Sequence, residues 1–176
     1  MILAGQHILN VLRLVMRLTM IIIKQMQDMQ KIISKYLNTK YIVYSEQEFE
    51  RPLNDYSCMK LLSYEPIGFA EKVKQDNEHI YKIQRMNLVL QFDCLGKNAS
   101  ETAIKLINLK SNSDIRKELM SLNISWIKNS AIINTTELNE TESIKPRLTF
   151  EAYFKTIEKI KEKIYFIKKV ELNGKS

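Results

Sequence analysis

The chain has 176 residues, 45% of them hydrophobic, and carries 27 Lys and Arg against 20 Asp and Glu for a formal charge of +7. Such a length fits one domain, with or without an appendage, and the apolar fraction is enough for a real core. Four glycines and three prolines exclude collagen-like and low-complexity chains, and two cysteines are too few for a disulfide framework.

Residues 1–19 form a first unit. Ile8 to Ile23 is rich in Leu, Val, Met and Ile, but Arg13 and Arg17 interrupt it. A membrane span needs about 20 mostly apolar residues, and two central arginines add several kcal/mol to its cost. A signal peptide carries its charges before the apolar run, not inside it. The spacing of Arg13 and Arg17 puts both on one helical face, so an amphipathic helical extension is expected, docked on this domain or a neighbour. A true start at Met20 or Met26 is the other reading.

From Met20 to Leu37, Ile22, Met26, Met29, Ile33 and Leu37 recur at helical spacing, and Asn38 is placed to cap that helix. Tyr41-Ile42-Val43-Tyr44 reads as a short strand and Glu46 to Asp55, with Pro52, as a loop. Ser57 to Tyr64 is a second strand, ended by Pro66 and Gly68, with Phe69 to Asn77 in the loop of a long hairpin. Its partner, Ile80 to Leu95, is the longest strand signal. Leu88, Leu90, Phe92 and Cys94 line one of its faces and Asn87, Gln91 and Asp93 the other, while apolar Val89 suits a central strand.

Gly96 ends that strand, and Asn98 or Ser100 caps a helix whose expected buried side is Ala103, Ile104 and Ile107, with Leu106 as a further candidate. Asn112 or Ser113 opens a short helix through Ser121 with Ile115, Leu119 and Leu122 inward, closed by Asn123. Ile124 to Asn134 is a strand carrying Trp126, and Glu137 to Ser143 an acidic connection. Leu148 to Ile157 is the last clear strand, with Leu148, Phe150, Ala152 and Phe154 on one face. Beyond Ile157 the pattern fits a helix or a strand. The order predicts an α+β domain: a mostly antiparallel sheet of four to five strands with helices packed on one face. Its expected divisions are an N-terminal extension 1–19, a domain 20–157 and a basic tail 158–176.

No chemistry is legible. There is no CxxC, HExxH, GxSxG, GxxxxGK[ST] or GxGxxG, so no catalytic residue, cofactor or metal is expected. His7 and His79 lie in separate segments without an evident partner. Cys58 and Cys94 read as buried free thiols, and Trp126 as core or interface. Glu137, Glu140 and Glu142 read as a solvated loop. The positive charge admits nucleic acid, since cations near phosphates gain from counterion release. It is densest at Lys159, Lys161, Lys163, Lys168 and Lys169, where a solvated basic surface is the plainer reading. Asp55, beside Arg51 and Tyr56, reads either as a partner contact or, in preference, as the brace of a turn set up by Pro52. Arg147 is placed to pair with Asp93 or Glu151, or to cross to a neighbouring subunit.

Three segments recur in an order that carries more than fold. Arg51-Pro52 with Tyr56 leads into a strand ending near Ile67-Gly68. Gln91-Phe92-Asp93 and Gly96 precede a helix holding Ala103. Arg147, Phe150 and Glu151 mark a strand near the C-terminus. Over residues 20–157 this resembles the neck or tail-terminator proteins of tailed bacteriophages. The resemblance implies a virion structural protein of the tail or neck, assembled in the bacterial host cytoplasm and not an enzyme. It implies a homo-oligomeric ring, typically a hexamer, that caps the tail tube protein, in contractile tails also holds the sheath, and meets a head connector or head-closure protein. Genomic DNA would cross the lumen without sequence-specific binding, and no membrane is involved. Arg51, Asp55, Tyr56, Arg147 and Glu151 become the expected subunit-contact or structural residues. A head-closure or tail-completion protein is the near alternative, and a small basic nucleic-acid-binding module the distant one.

Overall fold

The structure is a computed structural model that describes residues 20, 22–37, 42–44, 55–76, 78–136 and 146–163. The expected N-terminal extension, the Asn38 cap, the Pro52 loop, the acidic connection and the last part of the basic tail lie outside the described residues. Helix α1 (residues 22–37) is followed by β1 (Ile42–Tyr44), β2 (Tyr56–Gln75) and β3 (His79–Leu95). Then come α2 (Ala99–Leu109), α3 (Ser113–Ser121), β4 (Ile124–Asn129), β5 (Ile133–Asn134) and β6 (Arg147–Lys163).

Among the described residues the strands join one sheet in the order β1-β2-β3-β6-β4, with the two-residue β5 also on β6, and of these pairings only β1–β2 is parallel. The domain is therefore α+β with a mostly antiparallel sheet, and β3 is indeed central. Its even residues Leu88, Leu90, Phe92 and Cys94 stand opposite Phe154, Ala152, Phe150 and Leu148 of β6. Met26, Met29 and Ile33 of α1, Ala103 and Leu106 of α2, and Ile115 and Leu119 of α3 close over that face. Each helix contributes an apolar stripe at the 3.6-residue period, so one sheet face is dry and the other meets water.

Several boundaries differ from the sequence reading. Strand β2 does not end at Pro66 but runs on to Gln75, with register shifts at Leu61/Ser63, Ile67/Glu71 and Lys72/Lys74. An edge strand can hold a proline and absorb bulges because one side of it owes no ladder hydrogen bonds. Gly68, at φ 63°, sits within the second of these irregularities. The Ile124–Asn134 strand breaks in two. At the break the Ser130 N–H donates to the Glu151 carbonyl and the Glu151 N–H to Ser130 Oγ, each at 2.8 Å. In α2, Leu106 is buried and Ile104 is 54% exposed, so the buried side is rotated from the expected one. Strand β6 passes through position 157/158, where the tail is expected to begin, because β3 continues beside it in unbroken register to His79↔Lys163.

Caps are local and follow sequence. Asn112 Oδ1 accepts from the N–H groups of Asp114 and Ile115 at 2.9 and 3.2 Å, which fixes the start of α3. Asn123, at φ 58°, takes the left-handed turn into β4. Trp126 packs on Phe154 with ring centroids 5.0 Å apart and donates to Asn129 Oδ1 at 2.7 Å, so it is a core residue with a satisfied N–H.

The core ends on a polar group. Tyr64 donates to Glu158 Oε1 at 2.8 Å, and burial first, then this bond, raises the Tyr64 phenol above its ordinary value. Burial likewise pushes the Cys94 thiol from 9.0 up to about 11. Both groups have folded pKa values above their unfolded ones. The stability they contribute is whole below pH ~9 and is lost as pH rises through the folded values. A urea midpoint followed from pH 8 to pH 11.5 should therefore fall above pH ~9, with Cys94 contributing about 1–3 kcal/mol of the loss. Tyr64→Phe should flatten the upper part of that fall. An unchanged slope in that variant would show that Tyr64 takes no part.

Candidate functional site

The water-facing side of the sheet carries the odd residues of β3 and β6. Asp93, only 7% exposed, is the centre of a polar group there. Arg147 Nη2 donates to Asp93 Oδ2 at 3.2 Å, and Thr149 Oγ1 to Asp93 Oδ1 at 2.5 Å. Gln91 Nε2 reaches both carboxylate oxygens at 3.1 Å. The register makes this possible, since Asp93 stands opposite Thr149 and Gln91 opposite Glu151. Further along the same face Tyr153 donates to Glu151 Oε2, and Lys128 Nζ lies 4.5 Å from the centre of the Tyr153 ring. A buried carboxylate with this many donors is compensated.

Asp55 has a different task. Its Oδ2 accepts from Asn98 Nδ2 at 2.6 Å and from the Asn98 N–H at 3.3 Å, just ahead of α2. Gly96 is folded against it at φ 107°, and a Cβ there would lie 1.9 Å from Asp55 Oδ1. Asp55 thus ties the start of β2 to the β3–α2 turn by holding Asn98, the residue ahead of α2, whose own side chain makes no cap bond. A cleft of about 280 Å³ beside it is lined by Leu37, Tyr56, Ser57, Asn98 and Glu101, without a nucleophile–base pair.

Of the residues singled out in sequence, Arg51 lies outside the described residues. Asp55 contacts the α2 turn, and Tyr56 opens β2 opposite Leu95. Arg147 pairs with Asp93, the first of its two expected carboxylates, while Glu151 bonds to Tyr153. Asp55 and the Asp93 group therefore make two separate places. Gln91 and Thr149, which bond Asp93, belong to the odd-residue alternation of β3 and β6, whereas Ser130 lies between β4 and β5 and no sequence signal marks its bonds to Glu151. His79 opens β3 and lies 3.6 Å from Asp76 Oδ1, part of the turn between β2 and β3. Asp76 is held below the ordinary carboxylate range by the N–H groups of Glu78 and His79. Among the described residues no cluster of three His, Cys, Asp or Glu could hold a metal, and no helix is long and apolar enough to cross a membrane.

The family model described as phage neck terminator protein matches residues 27–176. The chain belongs to the phage neck terminator family. The match takes in α1 from residue 27 onward, the whole sheet and both later helices. This neck terminator is thus a structural protein of the phage neck, located in the virion's tail and neck and associated with other tail and head components. A structural family of this kind points away from an enzyme. No curated protein matches the chain. One solved structure of 12% identity aligns over 74% of this terminator and 94% of its own chain with a TM-score of 0.26, too loose a likeness to carry an argument.

Proposed function

We propose that the protein is the tail terminator itself, forming a ring, most simply a hexamer, that caps the tail tube and joins the tail to the head connector. The family match over residues 27–176 carries this reading. The fold is compatible with it. A ring is built from head-to-tail contacts, in which one patch of a subunit meets a different patch of the next. Strand β1 pairs only with Ser57, Cys58 and Met59, so the rest of β2 has an outer edge without a strand partner among the described residues. Phe69 on that edge is 98% exposed. Arg147 keeps 39% of its side chain exposed, and its buried Nε has no hydrogen-bond partner among the described residues. Together with Arg51, Tyr56 and Glu151 it is a contact residue for the neighbouring subunit in this reading. Asp55 remains an internal brace.

In the ring, 20–157 is the assembling unit, with 1–19 and the basic C-terminal residues as contacts particular to this virion. The tube protein, the sheath in a contractile tail, and the head-closure protein are the partners. Tails assembled without the protein should have abnormal lengths in electron micrographs. Tails of normal length that fail to join heads would instead make it a head-closure protein and overturn the terminator reading.

A further inference from the structure

Beyond the helices, β2, β3 and β6 continue as a three-stranded arm over residues 67–75, 79–85 and 157–163. The two faces of this arm differ in charge. On the side continuous with the helix-covered face, signs alternate: Lys82 pairs with Glu162 at 2.6 Å, and Glu158 lies buried beneath Tyr64. The other face is cationic. Lys159, Lys161 and Lys163 occupy alternate positions of β6 opposite Ile83, Tyr81 and His79, and Lys74 of β2 stands opposite Tyr81 from the far side. Two carboxylates reach that side and both are engaged: Glu71 pairs with Arg85 at 3.1 Å, and Asp76 accepts from the Tyr81 hydroxyl at 3.2 Å and from the N–H groups of Glu78 and His79. Lys74, Lys159, Lys161 and Lys163 are all exposed and have no carboxylate within salt-bridge reach among the described residues.

We infer that this face of the arm binds the phosphate backbone of double-stranded DNA without sequence preference. The inference rests on the neck reading for its source of DNA, since a neck ring is crossed by the genome. Strand geometry sets the lysines on β6 about 6.6 Å apart in a regular row, which suits a polymer of evenly spaced charges. Lysine is a compact point charge on a flexible stem, suited to phosphate, whereas recognition of one carboxylate favours the arginine fork. Lys74 and Lys161 lie 5.9 and 5.5 Å from the Tyr81 ring centre, so that ring is engaged by cations and holds their heads over the face. Nothing there presents paired donors and acceptors to a base edge, so sequence is not read. Such a contact positions and slides, as a conduit for DNA requires.

Fluorescence anisotropy of a labelled 30-bp duplex with the full-length protein tests this. With four phosphates neutralised, affinity should fall roughly 10²-fold between 50 and 200 mM salt, equally for two unrelated sequences. The variant Lys74→Gln, Lys159→Gln, Lys161→Gln, Lys163→Gln should bind at least 10-fold more weakly at 50 mM and lose most of its salt dependence. Four helix substitutions, Lys24→Gln, Lys31→Gln, Lys105→Gln and Lys117→Gln, remove the same charge elsewhere and should leave affinity within about 3-fold. Absence of binding at 50 mM overturns the inference, and so does equal weakening in both variants. Displacement of the duplex by polyglutamate at equal charge concentration also overturns it, in favour of an acidic protein partner. Sedimentation of the same sample reads the ring separately. A missing ring with intact DNA binding counts against the terminator reading alone, and an intact ring without DNA binding against the arm alone.

Discussion

Phe150→Ala should destabilise the domain by about 3–5 kcal/mol, the largest loss expected from a single truncation. Phe150 is fully buried, stands directly opposite Phe92 across the β3–β6 pairing, and stacks on it with centroids 5.3 Å apart and an interplanar angle of 14°. These two strands are the middle of the sheet, with helices over the face on which both rings lie. Removing the ring forfeits its transfer free energy and leaves a cavity that rigid neighbouring strands collapse into only partly. A small domain is stable by about 5–15 kcal/mol, so the variant should melt far below the parent and assemble poorly. The contrast is Ile104→Ala, on the exposed side of α2, which should cost about 0.5 kcal/mol or less. Urea denaturation of both variants checks the pair. Equal losses would mean that the core is not where these rings place it.

Gly96→Ala should cost about 2–5 kcal/mol for a different reason. The residue has φ 107°, where a side chain is strained, and its Cβ would stand 2.8 Å from Asp55 Cγ and 2.9 Å from Asp55 Cα. Backbone must move, and with it the hydrogen bond from the Gly96 N–H to the Pro146 carbonyl at 3.0 Å. The displaced segment is the one that starts α2, so its effect spreads to Ala99 and Ala103 under the sheet. A double-mutant cycle with Asp55→Ala separates crowding from backbone strain. Asp55→Ala removes the carboxylate but not the Cα, so the double variant should recover part of the loss and remain below the Asp55→Ala single. A Gly96→Ala protein as stable as the parent would show that Asp55 and Gly96 are not packed as described.

The elements that sequence made legible are those with strong periodicity. The Phe150, Ala152, Phe154 face of β6, the Leu88 to Cys94 face of β3 and the α1 stripe at Met26, Met29 and Ile33 all bury the side that the pattern marks. Misreadings arose where a local signal met a tertiary one. Pro66 and Gly68 are breakers in isolation, yet β2 passes them because only its inner side is committed to hydrogen bonds with β3. Ile104 is apolar, but the face of α2 that packs on the sheet carries Ala99, Ala103, Leu106 and Leu109 and leaves Ile104 exposed. The split between β4 and β5 depends on Ser130 exchanging bonds with Glu151, a partner that neighbouring residues do not announce.

Sequence by itself determined the α+β class, the buried face of each long element and the kinship with neck terminators, because periodicity and motif order are properties of the chain alone. Only the tertiary structure decided what the charged residues do. Arg147 chose Asp93 over Glu151, and Asp55 joined Asn98 and Gly96 across some forty residues, because antiparallel register and loop closure bring those atoms within hydrogen-bond reach. The same register turned a lysine-rich C-terminal stretch into one cationic face of an arm. In a strand, alternate residues share a side, and which side meets water is set by what packs on the other.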